Sequence, residues 1–63
     1  MVIDIKKVQV ILARKQLAMT QFFKEAHFSA ATVKRIKSGY EVNTKTAGKL
    51  AAALGVDVAE LLA

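Results

Sequence analysis

Apolar residues recur at spacings of three and four in five stretches separated by short breaks, and nowhere do they alternate with a period of two. This pattern predicts helices and no strands. In the first stretch, Asp4 to Lys15, Ile5, Val8, Ile11 and Leu12 share one face. Lys6, Lys7, Arg14 and Lys15 fall mostly elsewhere, and Val10 points away from the apolar face without any periodicity to explain it. The second stretch, Met19 to Ala26, carries the stripe Met19, Phe22, Phe23 and Ala26. Only His27 and Phe28 separate it from the third, which is room for a tight turn.

Local signals fix the remaining boundaries. Ser29 is a good N-cap, because its hydroxyl can accept from an unpaired backbone N–H of the first turn. Phe28 before it and Val33 have the spacing of a hydrophobic staple. Gly39 after Ser38 is a C-terminal stop, since glycine enters the left-handed region cheaply. The fourth helix is expected from Asn43 or Thr44 to Leu54, with Gly55 as its stop and Ala47, Leu50, Ala51 and Leu54 facing inward. Gly48 inside that helix costs up to about 1 kcal/mol relative to alanine, which points to a close packing contact. A fifth helix is expected to begin with Asp57 as cap, Glu60 completing a capping box and Val56 with Leu61 forming a staple. The expectation is an all-α bundle of five helices in a single domain, residues 1–63.

A chain of 63 residues buries only about 60% of its unfolded surface, so tight packing matters. With no cysteine and one histidine, His27, neither a disulfide nor a zinc site is expected, and no cofactor is called for. Asp4, Lys6 and Lys7 interrupt the apolar start, so no secretory leader is expected, and the absence of cysteine fits a reducing cytoplasm. No apolar run approaches the roughly 20 residues a bilayer requires. The acidic residues Asp4, Glu25, Glu41, Asp57 and Glu60 are scattered, and no nucleophile has a base beside it in sequence, which argues against an enzyme. The net charge of +5 in 6.8 kDa favours a polyanionic partner, with plain solubility as the alternative.

The third helix carries the candidate chemistry. At about 100° per residue, Val33 and Ile36 point to one side, while Ala30, Ala31, Lys34, Arg35 and Ser38 occupy the opposite arc. Small residues let a helix backbone approach a surface, and cations attract it to a polyanion. The DNA major groove, about 12 Å wide, just admits such a helix. Arginine can donate twice to guanine, and alanine can touch a thymine methyl. Lys34 and Arg35 can equally be read as a solvated face.

Three phrases in this chain resemble the Cro/phage-repressor (XRE-like) type of helix-turn-helix domain, which adopts the lambda-repressor-like fold. They are the Phe22-x-x-x-Ala26-His27-Phe28-Ser29 turn, the Val33-x-x-Ile36-x-Ser38-Gly39 helix end, and the closing stretch from Leu50 to Leu62. The resemblance runs from about Val8 to Leu62 with the phrases spaced without insertion. It implies a helix-turn-helix unit at about 19–38 that binds double-stranded DNA, and a transcriptional regulator of the repressor kind. On the same basis the second helix, from Met19 and Thr20, would lie across the DNA backbone. Base edges would be met by Ala30, Ala31 and Arg35, with Ser29, Thr32, Lys34 and Ser38 nearby. Tyr40 and Lys45 would meet phosphates, although Tyr40 can also be read as a loop aromatic packed on the core edge.

Several positions depart from the family pattern. Met19 stands where glutamine is usual, and Ala18 precedes it in place of a Ser or Thr cap. Phe23 replaces a small residue and His27 the turn glycine, while Leu12 and Lys37 occupy the places of an arginine–glutamate pair. Operators read by such domains have half-sites about 34–36 Å apart, which implies a weak homodimer on a palindrome, with Val56 to Ala63 as its seam. A rival reading is an antitoxin-like or other protein-interaction module of the same fold, drawing on exposed Val10 and on Ala52 and Ala53. A membrane-surface role fits less well, because the cations spread over several helices instead of lining one face.

Overall fold

The computed structural model describes residues 1–63 as α1 (Ile5–Arg14), α2 (Met19–Glu25), α3 (Ala30–Lys37) and α4 (Thr44–Leu54), closed by a 3₁₀ turn at Val58–Leu61. Ser29 caps α3 as the sequence predicts, and Asp4 and Asn43 do the same for α1 and α4. The Asp4 carboxylate accepts from the Lys6 N–H at 2.9 Å, the Ser29 hydroxyl from Thr32 at 3.2 Å, and the Asn43 side chain from Thr46 at 2.7 Å. Only α2 starts without a side-chain cap, because Ala18 has no acceptor to offer.

The fifth helix needs correction. Asp57 and Glu60 do form a reciprocal capping box, but it encloses a 3₁₀ turn of four residues, not an α-helix. The turn stops because Leu62 goes extended to pair with Ile3. This pairing, together with a second isolated bridge between Val2 and Glu41, gives the residues ahead of α1 a place in the fold. Asp4 N–H donates to the Leu61 carbonyl at 2.8 Å, and Ala63 N–H to Val2 at 3.1 Å. The Lys7 ammonium then donates to the Leu62 carbonyl at 2.7 Å.

All four α-helices end alike. One residue after each last turn takes a left-handed conformation: Gln16 at φ 57°, His27 at 61°, Gly39 at 76° and Gly55 at 72°. The following N–H then reaches back across the turn, from Leu17 to Leu12, Phe28 to Phe23, Tyr40 to Arg35 and Val56 to Ala51, at 3.0–3.2 Å. Glycine fills only two of these four positions. For an L side chain the conformation costs about 1–2 kcal/mol, partly offset by the freedom glycine would add to the unfolded chain. Gln16→Gly and His27→Gly are therefore each expected to raise the unfolding free energy by about 0.5–1 kcal/mol, read from the urea midpoint. A lower midpoint would mean that the exposed Gln16 and His27 side chains hold these turns by contact.

The core gathers Val8 and Leu12 from α1, Phe22 and Phe23 from α2, Ile36 from α3, and Ala47, Leu50, Ala51 and Leu54 from α4. Ile3, Val42 and Leu61 close it from outside the α-helices. Phe23, found where a small residue is usual, fills the space between α2 and the turn: its ring meets Phe22 at 5.3 Å and Phe28 at 5.6 Å, both edge to face. Leu12 is buried and Lys37 exposed, so the positions of the family's ion pair hold a core residue and a surface cation. The close contact expected at Gly48 is absent, since a Cβ built there meets nothing within 4 Å. Gly48→Ala is accordingly expected to stabilise by up to about 1 kcal/mol in the same urea titration.

Candidate nucleic-acid interface

Two helices and a four-residue turn form the unit at 19–38. The left-handed His27 turns the chain between them, and Phe28 folds back on Phe23. A cation from α4 locks this corner. Lys49 donates to the His27 carbonyl at 3.1 Å while its ammonium sits 4.5 Å from the centre of the Phe28 ring. A positive charge beside the C-terminal end of α2 also opposes the helix dipole there.

With this corner fixed, the faces of α3 follow. Ile36 is fully buried, Val33 and Thr32 are half-buried, and Ala30, Ala31, Lys34, Arg35, Lys37 and Ser38 are exposed. The expected arc is present, and it divides into two flanks. Toward α2, a shallow groove is lined by Thr20, Lys24, Ala30, Lys34, Lys37 and Ser38 over a floor of Phe23, Phe28 and Val33. Toward α4, a second hollow takes in Thr32, Arg35, Glu41, Asn43 and Thr46. The leading turn of α3 thus presents two methyl groups, and cations follow on both sides.

The predicted site residues fare differently. Ser29 and Thr32 are tied to one another, the Ser29 hydroxyl donating to the Thr32 oxygen at 2.9 Å while accepting from its backbone N–H. Met19 is half-buried against the core, and Thr20 beside it is exposed at the groove. Arg35 is not free: its guanidinium donates to the Glu41 carbonyl at 2.7 Å and lies 6.0 Å from the Tyr40 ring centre. Tyr40 itself is 60% exposed, so the core-edge reading does not hold for it. Lys45 stands exposed on the first turn of α4.

Lys24 and Lys37 join the groove without having been singled out. The wheel of α3 already places Lys37 beside Lys34 and Ala30, so that signal was available. Lys24 reaches the groove only through the packing of α2 on α3, which no local pattern carries. The remaining cations Lys6, Lys7, Arg14 and Lys15 lie on or just after α1, where Val10 is 51% exposed among them. No group of three or more His, Cys, Asp or Glu side chains is placed to hold a metal, and no helix is long and apolar enough to cross a membrane.

Compared with known proteins, residues 7–63 match the Cro/C1-type HTH DNA-binding domain. No curated protein and no solved structure matches the chain. The family match covers α1 from Lys7 onward, the whole of α2 to α4 and the closing turn, and the two helices and turn at 19–38 lie inside it. The chain belongs to the Cro/C1-type helix-turn-helix DNA-binding domain family.

Proposed function

We propose that residues 1–63 act as one double-stranded-DNA-binding module that sets α3 into the major groove and represses transcription from a palindromic operator in the cytoplasm. The observation that carries this reading is the exposed arc of α3, with Ala30 and Ala31 leading and Lys34, Arg35, Lys37 and Ser38 behind them. Bulky side chains at Ala30 and Ala31 would hold the helix off the bases; methyl groups allow approach and can touch thymine. In this reading Arg35 and Lys34 meet base edges, while Thr20, Lys24, Lys37 and Lys45 around them are phosphate contacts that set the register. Ser29 and Thr32 serve first as the helix cap.

Selection from a random duplex library, followed by titration of the winning site at several salt concentrations, tests the proposal. The expected result is a palindromic motif bound on the order of a thousandfold above random DNA. Flat enrichment, with binding that merely falls as salt rises, would sink sequence-specific readout. Within that titration, Lys45→Ala is expected to weaken all sequences alike and to reduce the salt slope by about 1. A loss confined to one sequence would assign Lys45 to base readout instead.

A weak homodimer formed on the operator accounts for two half-sites. Its seam is proposed at 56–63, where Leu61 already closes the chain's own core and Ala59 and Glu60 remain exposed. Equilibrium sedimentation with the selected duplex should give two chains per site, and one chain per site would exclude the dimer. An antitoxin-like role alongside DNA binding draws support from Val10 and Leu17, which are 51% and 41% exposed. A protein partner becomes the leading reading if the library selection stays flat.

A further inference from the structure

We infer that Tyr40 is a positioning residue for Arg35, and that the loop from Gly39 to Val42 is a clamp holding this arginine ready to read a base pair. The inference rests on the DNA reading above and adds to it the means by which one contact is specified. An arginine on an exposed helix face samples many rotamers, and a base contact must then immobilise it. Here it is already held. Its Nη2 donates to the Glu41 carbonyl at 2.7 Å, a short bond from a charged donor, and its guanidinium lies 6.0 Å from the Tyr40 ring centre. The guanidinium has five N–H donors, and only one of them is used, so a two-bond contact to an acceptor pair remains open to it.

The clamp is built into the helix end. Gly39 at φ 76° turns the chain so that the Tyr40 N–H bonds to the carbonyl of Arg35 itself at 3.0 Å. The same turn therefore brings the ring over the side chain of the residue whose backbone it caps. The loop is then fastened from the far side by the first residue of the chain. Val42 N–H donates to the Met1 carbonyl at 2.7 Å, and the Met1 ammonium donates to the Val42 carbonyl at 2.9 Å. Val42 is buried and Val2 bridges to Glu41, so the carbonyl that receives Arg35 is held between two anchored neighbours. Tyr40, being largely exposed, adds little to the core and acts through Arg35.

The experiment measures Kd for the selected duplex and for a duplex changed at the one base pair whose preference Arg35→Ala abolishes. Wild type, Tyr40→Phe, Tyr40→Ala, Arg35→Ala and the double variant Arg35→Ala/Tyr40→Ala are compared. Arg35→Ala is expected to lose on the order of ten- to a hundredfold on the selected duplex. Tyr40→Ala should lose several-fold on the selected duplex and little on the changed one, with an unaltered salt slope. Tyr40→Phe keeps the ring and should bind as wild type, and the double variant should bind as Arg35→Ala alone. Equal loss on both duplexes, a loss in Tyr40→Phe, or losses that add in the double variant would make Tyr40 a direct DNA contact and overturn the clamp. Unchanged binding by Tyr40→Ala would overturn it too. If no duplex is enriched in the first place, the DNA reading has failed and the clamp falls with it, an outcome distinct from any of these.

Discussion

Leu50→Ala is expected to lower the unfolding free energy by about 2–5 kcal/mol, the range found where a fully buried leucine leaves a cavity behind. Leu50 is completely buried in α4, in one apolar cluster with residues from α1, α2 and α3. Total stabilities run at about 0.05–0.15 kcal/mol per residue, or about 3–9 kcal/mol for a chain of this length. The substitution therefore removes much of what holds the fold, and a chain with no disulfide has nothing else to fall back on. Urea and thermal titrations should show a large drop in midpoint with a similar urea slope. A loss under about 1 kcal/mol would mean that neighbouring helices collapse into the vacated space.

The second large effect lies on the opposite side of α3 from the core. Arg35→Ala should weaken binding to the selected operator by about 1–3 kcal/mol and relax the preference at one base pair. Its effect on folding should be small, because the side chain is exposed and its bond to Glu41 joins two groups that water can also serve. Fluorescence titrations on duplexes that differ at single positions separate these outcomes. Unchanged affinity would show that Arg35 meets no base and that the base-reading arc is narrower than proposed. Leu50 and Arg35 thus test different links: one asks what makes the scaffold, the other what the scaffold presents.

The boundaries of α1 to α4 could be read in advance because their causes are local. Asp4, Ser29 and Asn43 cap from within three residues, Gly39 and Gly55 stop their helices at once, and periodicity assigns each inner face. Causes acting over long separations stayed hidden. Nothing near Val2 announces its pairing with Glu41, and nothing near Leu62 announces that pairing with Ile3 will end the last turn early. Gln16 adopts a glycine-like conformation with no glycine to mark it, whereas His27 stood out because a turn glycine is usual there. Gly48 misled in the other direction, since its missing side chain faces open space.

The interface divides along the same line. The arc of α3 follows from a helical wheel and two apolar positions, Val33 and Ile36. Its surroundings do not. The tie between Arg35 and Glu41, the cation of Lys49 on the α2–α3 corner, and the approach of Lys24 to the groove depend on how helices and loops pack. The departures from the family pattern are largely absorbed by this packing. Phe23 fills the inside of the turn, Met19 leans on the core, and Leu12 replaces half of an ion pair with buried apolar surface.

The central claim, that α3 enters the major groove, is tested most directly by backbone-amide NMR of the chain titrated with its selected duplex. The account predicts the largest shift changes at Thr20, at Ala30 to Ser38 and at Tyr40, with α1 from Ile5 to Arg14 nearly unmoved. Changes centred on Lys6, Val10 and Arg14 with α3 silent would contradict it, and would place the polyanion on the face of α1.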